Sequence, residues 1–100
     1  MATTSKTLFR GAATTNTATT LYTATGVTAV VTNIIVTNTA GSEGTFTLAM
    51  AGTNLATTVT VGAYDSTVID LKQVLTNTQV ITGGASATSI NFHISGVEIV

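Results

Sequence analysis

One residue in four of this 100-residue chain is threonine, and proline is absent. Threonine, valine and isoleucine lose side-chain freedom in a helix and sit well on a pleated surface. A chain built so heavily from β-branched residues is directed towards sheet. Glycine and asparagine break the runs at short intervals, the punctuation of a sandwich or barrel. The pattern predicts an all-β fold: a single antiparallel β-sandwich, jelly-roll-like, with seven or eight strands and at most one short helical turn.

The longest run, VTAVVTNIIVTN over residues 27–38, alternates poorly. Val30, Ile34 and Val36 share one parity, while Val27, Val31 and Ile35 share the other. A strand with one wet face carries apolar side chains at every second position. Two explanations can coexist: a bulge near Asn33-Ile34 that switches the inward parity, and cover by a neighbouring subunit over Val31 and Ile35.

Further strands are predicted over residues 5–10, 20–24, 45–50, 55–61, 66–71, 79–82 and 88–100. Residues 11–19 are small and polar, so residues 1–19 read as a strand plus an extended arm and residues 20–100 as the sandwich. Phe46, Leu48 and Met50 alternate with Thr45, Thr47 and Ala49, and a turn-rich stretch at 39–44 suggests a hairpin with 27–38. Leu55, Val59 and Val61 are expected on one face. Leu71, Val74 and Leu75 share a helical face, suggesting a single turn over 70–75 capped by Asp70. Gly83-Gly84 is expected to break the chain. In the last strand Ile90, Phe92 and Ile94 lose phase after Gly96, which predicts a bulge there that brings Val97 and Ile99 inward.

Charge is scarce: 7% of residues, with a net of −1. A typical domain is about one-quarter charged. Weak mutual repulsion favours association. The strong cations are Lys6, Arg10 and Lys72, too few to release the counterions that hold a protein on nucleic acid. Cysteine is absent, which removes disulfides, thiolate metal sites and a cysteine nucleophile. The N-terminal stretch lacks the apolar segment of a secretion signal, and no run approaches a membrane span, so a protein free of membrane and made in the cytoplasm is expected.

No constellation of catalytic residues is visible, and the chain is expected to be no enzyme and to need no cofactor. His93 is the sole histidine, and neither a nucleophile nor further metal ligands accompany it at useful spacing. Asp65 and Asp70 flank one predicted strand five residues apart and project to opposite faces, so they make no acid–base pair. Gly83-Gly84 lacks the lysine and helix of a phosphate loop. Arg10 and Tyr22 are candidate interface anchors. Threonine-covered strand faces can pack against another protein without burying ions, because a hydroxyl costs far less to bury than a charge.

KTLFRG at residues 6–11, LYT at 21–23, VVTNIIVTNTAG at 30–41, FTL at 46–48, VIDLKQVL at 68–75 and INFHISGVEI at 90–99 together resemble a group of small virion proteins of tailed bacteriophages. The resemblance covers nearly the whole chain. It implies a β-sandwich on the outside of a capsid or tail, a homo-oligomer of trimeric type, and no active site. The expected role is capsid decoration, a cement on the major capsid protein lattice at the virion surface. A tail-associated or host-recognition protein is the alternative, and a secreted carbohydrate-binding or adhesin module a more distant one. Lys6, Leu8, Phe9, Arg10, Val31, Ile35 and His93 are the expected interface residues, with the arm as the lattice-binding segment.

Overall fold

The computed structural model describes residues 3–100, and the regular elements among them are all strands. In chain order they are β1 (Thr3–Ala12), β2 (Thr20–Thr23), β3 (Thr28–Asn38), β4 (Gly44–Met50), β5 (Thr53–Val61), β6 (Ser66–Leu75), β7 (Val80–Ala85) and β8 (Ile90–Ile99). They form two four-stranded sheets, ordered β1-β8-β3-β6 and β2-β7-β4-β5. β1 pairs with β8, β2 with β7, β3 with β6 and β4 with β5, each antiparallel. The chain is thus one long hairpin, folded at the β4–β5 turn and wound so that successive strand pairs fall in opposite sheets. That winding is a jelly roll.

At the hairpin tip, Ala51 and Gly52 link β4 to β5 with φ values of 51° and 81°. Two consecutive positive φ angles mark the type I′ turn, whose twist matches that of the flanking strands.

The two sheets enclose a single core. Phe46 from one sheet meets Phe92 from the other edge to face, with ring centroids 6.2 Å apart. Ile34, Val36, Leu48, Ile81, Ile90 and Ile94 are fully buried around them. Asn38 is the one buried polar side chain among the described residues. Its Nδ2 donates to the carbonyls of Ser42 at 2.8 Å and of Val61 and Gly62 at 3.3 Å each. Its Oδ1 accepts from the Ala40 amide at 3.0 Å. One amide therefore ties the end of β3 to two separate connections.

A bulge in β3 accounts for part of its double-sided apolarity, turning Val31 inward together with Ile34 and Val36 while Val30 and Ile35 stay on the outer face. Val31 and Asn33 pair with adjacent β8 residues Gly96 and Ser95, leaving Thr32 extra. Ala29 and Val31 face inward before it, and Ile34, Val36 and Asn38 after it. The parity switch expected at Asn33-Ile34 is present about one residue earlier. Val31 is completely buried, so it belongs to the core and is not a surface residue.

The expected bulge at Gly96 is instead carried by the strands on either side. β8 runs in continuous register while Leu8 is extra in β1 and Thr32 in β3. Gly96 faces inward, and a Cβ there would lie 2.3 Å from the Val30 carbonyl oxygen. The glycine admits its neighbours' bulges. As a result β8 keeps one phase, with Glu98 on the inward side and Val97 and Ile99 on the outer one.

Other expectations are corrected in the same way. β3 and β4 do not form a hairpin; their connection crosses from one sheet to the other. Residues 70–75 are not a helical turn but the second half of β6, since pairing with β3 overrides a local helical spacing. Gly83-Gly84 lies within β7. A Cβ on Gly83 would stand 2.6 Å from Leu48 Cδ2, and one on Gly84 would stand 2.4 Å from the Asn16 carbonyl oxygen. These glycines mark close approach, not a chain break. In β5 only Val61 is buried, whereas Leu55 and Val59 are partly exposed, because two bulges shift its register against β4.

Residues 3–19 do not make an arm either; Met1 and Ala2, the start of the expected segment 1–19, lie outside the described residues. β1 is an edge strand paired along its length with β8. The following turn is tied down by Ala13 N donating to Ile90 O (2.7 Å), Ala85 N to Thr14 O (2.9 Å) and Gly83 N to Thr19 O (2.9 Å).

Candidate assembly surfaces

The charged residues are distributed unevenly between the sheets. β2, β4, β5 and β7 contain no Lys, Arg, Asp, Glu or His. Lys6, Arg10, Asp70, Lys72, His93 and Glu98 all belong to the other sheet, and Glu43 and Asp65 to connections. Each sheet consequently offers a different outer surface.

The outer face of the uncharged sheet is clad in threonine. Thr45 pairs with Thr60 across β4 and β5, and Thr20 with Thr82 across β2 and β7. Thr47 Oγ1 accepts the Thr58 amide at 3.0 Å. Thr58 holds φ at 50°, and the bulge beside it bends this edge strand away from regular pairing, a common protection for an edge without charge.

The outer face of the β1-β8-β3-β6 sheet is arranged in rows set by the strand register. Arg10, His93, Ile35 and Val68 form one row across all four strands. Thr7, Ser95, Asn33 and Asp70 form the next, and Ser5, Val97, Val30 and Val74 the one beyond. Val68 and Val74 are 64% and 58% exposed. Between the second and third rows the bulges at Leu8 and Thr32 leave a shallow depression of about 400 Å³ lined by Ser5, Lys6, Thr7, Thr32, Ser95, Gly96 and Val97.

Of the seven residues expected at an interface, Arg10, Ile35 and His93 are neighbours in a single row of this face. Leu8 is buried at 7% exposure and joins the core with Val31, so both are withdrawn from the surface. Phe9 packs partly buried against the same core. Lys6 is occupied at the sandwich edge, where its Nζ lies 3.3 Å from both carboxylate oxygens of Glu98.

That edge also holds a polar contact between the sheets. The Tyr22 hydroxyl on β2 donates to Glu98 Oε2 on β8 at 2.5 Å. Tyr22, expected as an interface anchor, is thereby turned inward. The Tyr22 hydrogen bond, assisted by the Lys6 bond and charge, holds the Glu98 carboxyl below its ordinary pKa against an opposing effect of burial. Burial first, then the bond and charge of Glu98, push Tyr22 up to about 12.

Val74 is hidden by the helical spacing of 70–75, which also cuts short the predicted strand 66–71 that holds Val68. Read with period two, residues 68, 70, 72 and 74 share one face, which would have revealed them. His93 has only Arg10 and Ile35 as its paired neighbours, and no group of three potential metal ligands occurs among the described residues. No helix among the described residues is long and apolar enough to cross a membrane. No protein-family model matches this sequence, and no curated protein matches it significantly.

Proposed function

We propose that this protein is a phage virion structural protein, a capsid decoration protein that cements the major capsid protein lattice. The observation that carries the reading is the uncharged sheet: four strands without Lys, Arg, Asp, Glu or His, faced with threonine, on a jelly roll. Such a face can be covered by another protein without desolvating an ion, and buried hydroxyls find partners more cheaply than buried charges do. Repeated over many copies, apolar burial at roughly 25 cal/mol per Å² adds cohesion to the lattice beneath.

The test is rebinding of purified protein to phage particles stripped of it, with occupancy read by particle imaging. Wild type should occupy the capsid at regular positions. Thr60→Lys, an exposed change that places a cation on the threonine face, should lower occupancy at least tenfold while leaving the circular dichroism spectrum intact. Density on the tail would replace the capsid assignment with a tail-associated role. Absence of binding to either structure would overturn the reading.

A further inference from the structure

We infer that the outer face of the β1-β8-β3-β6 sheet is a self-association surface, occupied by a second copy of this chain related by a two-fold axis. The surface lies on the opposite side of the sandwich from the threonine face, so the inference does not depend on virion binding.

The most exposed strand valines, Val68 and Val74, lie on this face. Val30, Ile35, Val97 and Ile99 accompany them, each half-buried on the isolated chain. Apolar side chains gathered on one sheet face mark an interaction site more often than chance exposure. Four strands about 4.8 Å apart and ten residues about 3.3 Å apart span about 600 Å² per copy. A pair would bury about 1,200 Å², the lower bound of a stable specific interface.

The occupant follows from the distribution of charge. Arg10 lies on the β1 edge of the face, and Asp70 on the opposite edge, on β6. Consider a two-fold axis in the interface, parallel to the strands and between β8 and β3. It lays β1 of one copy over β6 of the other. Arg10 then falls over Val68 of the partner subunit, one row or about 7 Å from Asp70 of the partner subunit, within reach of its guanidinium. The symmetry makes this contact twice. The same operation stacks Val30 on Val97 of the partner subunit and Val97 on its Val30, an apolar centre on the axis. Lys72 lies on the same face between Asp70 and Val74 on the edge strand β6, where its long stem can carry the ammonium past the rim into solvent.

Analytical ultracentrifugation across micromolar to millimolar concentration tests this. The wild type should be a monomer–dimer system. Arg10→Asp and Asp70→Arg should each weaken dimerisation about tenfold, as expected for two exposed ion pairs replaced by like charges. The double exchange Arg10→Asp/Asp70→Arg should restore it to within about threefold. Val97→Glu should abolish it. Circular dichroism on every variant confirms the fold, since all three positions are on the outer face. A wild type that stays monomeric, a trimer, or a double exchange no better than the singles would overturn the inference.

Discussion

Asn38→Asp changes one atom's identity and should reverse the protein's response to acid. In the native chain, Nδ2 of Asn38 donates to three carbonyl oxygens, those of Ser42, Val61 and Gly62. The substitution faces those acceptors with a carboxylate oxygen. The bonds are lost, and a charge is left in a site only 1% exposed. Leaving a buried charge uncompensated costs about 3–5 kcal/mol, a large share of the roughly 5–15 kcal/mol available to a domain. Asn38→Leu, which removes the polar group without adding charge, should cost about 2–3 kcal/mol by stranding its partners. Burial and the surrounding carbonyls raise the carboxyl's folded pKa above its unfolded value. A raised folded pKa favours folding at low pH, with the advantage lost as pH rises through it. The variant should therefore gain stability between about pH 7 and pH 4, where its protonated oxygen can donate to Ser42. Urea denaturation at several pH values reads this directly. A variant as stable as the wild type at pH 7, or one that follows the wild-type pH profile, would refute the reasoning.

Gly96→Ala should cost about 1–3 kcal/mol, read as a fall in melting temperature, because the added methyl must displace the Val30 backbone. Tyr22→Phe should return the Glu98 carboxyl towards its ordinary pKa, as seen in an NMR titration. Glu98's lowered pKa contributes stability above the ordinary carboxylate range and loses it as pH falls, so the stabilities of wild type and Tyr22→Phe should converge in acid. Alkaline titration should show Tyr22 ionising at about 12, its contribution to folding persisting below the ordinary tyrosine range and disappearing as pH rises through that value. Self-association should persist from about 0.1 M to about 1 M salt, because screening weakens only its rim ion pairs; complete dissociation would show that charge holds the pair together.

The class of the fold was legible in composition alone. Threonine, valine and isoleucine in short runs, separated by glycine and asparagine, favour sheet over helix and point to a sandwich or barrel. The position of the β3 bulge was almost readable too, because apolar parity changes within VTAVVTNIIVTN and a bulge is the cheapest way to keep both halves inward. Partner choice was hidden. Residues 27–38 and 45–50 look like a hairpin, but sandwich winding puts them in separate sheets, a decision made by long-range pairing of β3 with β6 and β8. The same pairing extended β6 through a local helical spacing. It also moved the anomaly at Gly96 into neighbouring strands, since a residue without a side chain can accept a neighbour's bulge as readily as form one. Scarcity of charge could be counted in the sequence; its confinement to one sheet and the adjoining connections could not. Only tertiary structure aligned Arg10, His93, Ile35 and Val68, residues far apart in the chain, because register across strands is set by the core they enclose.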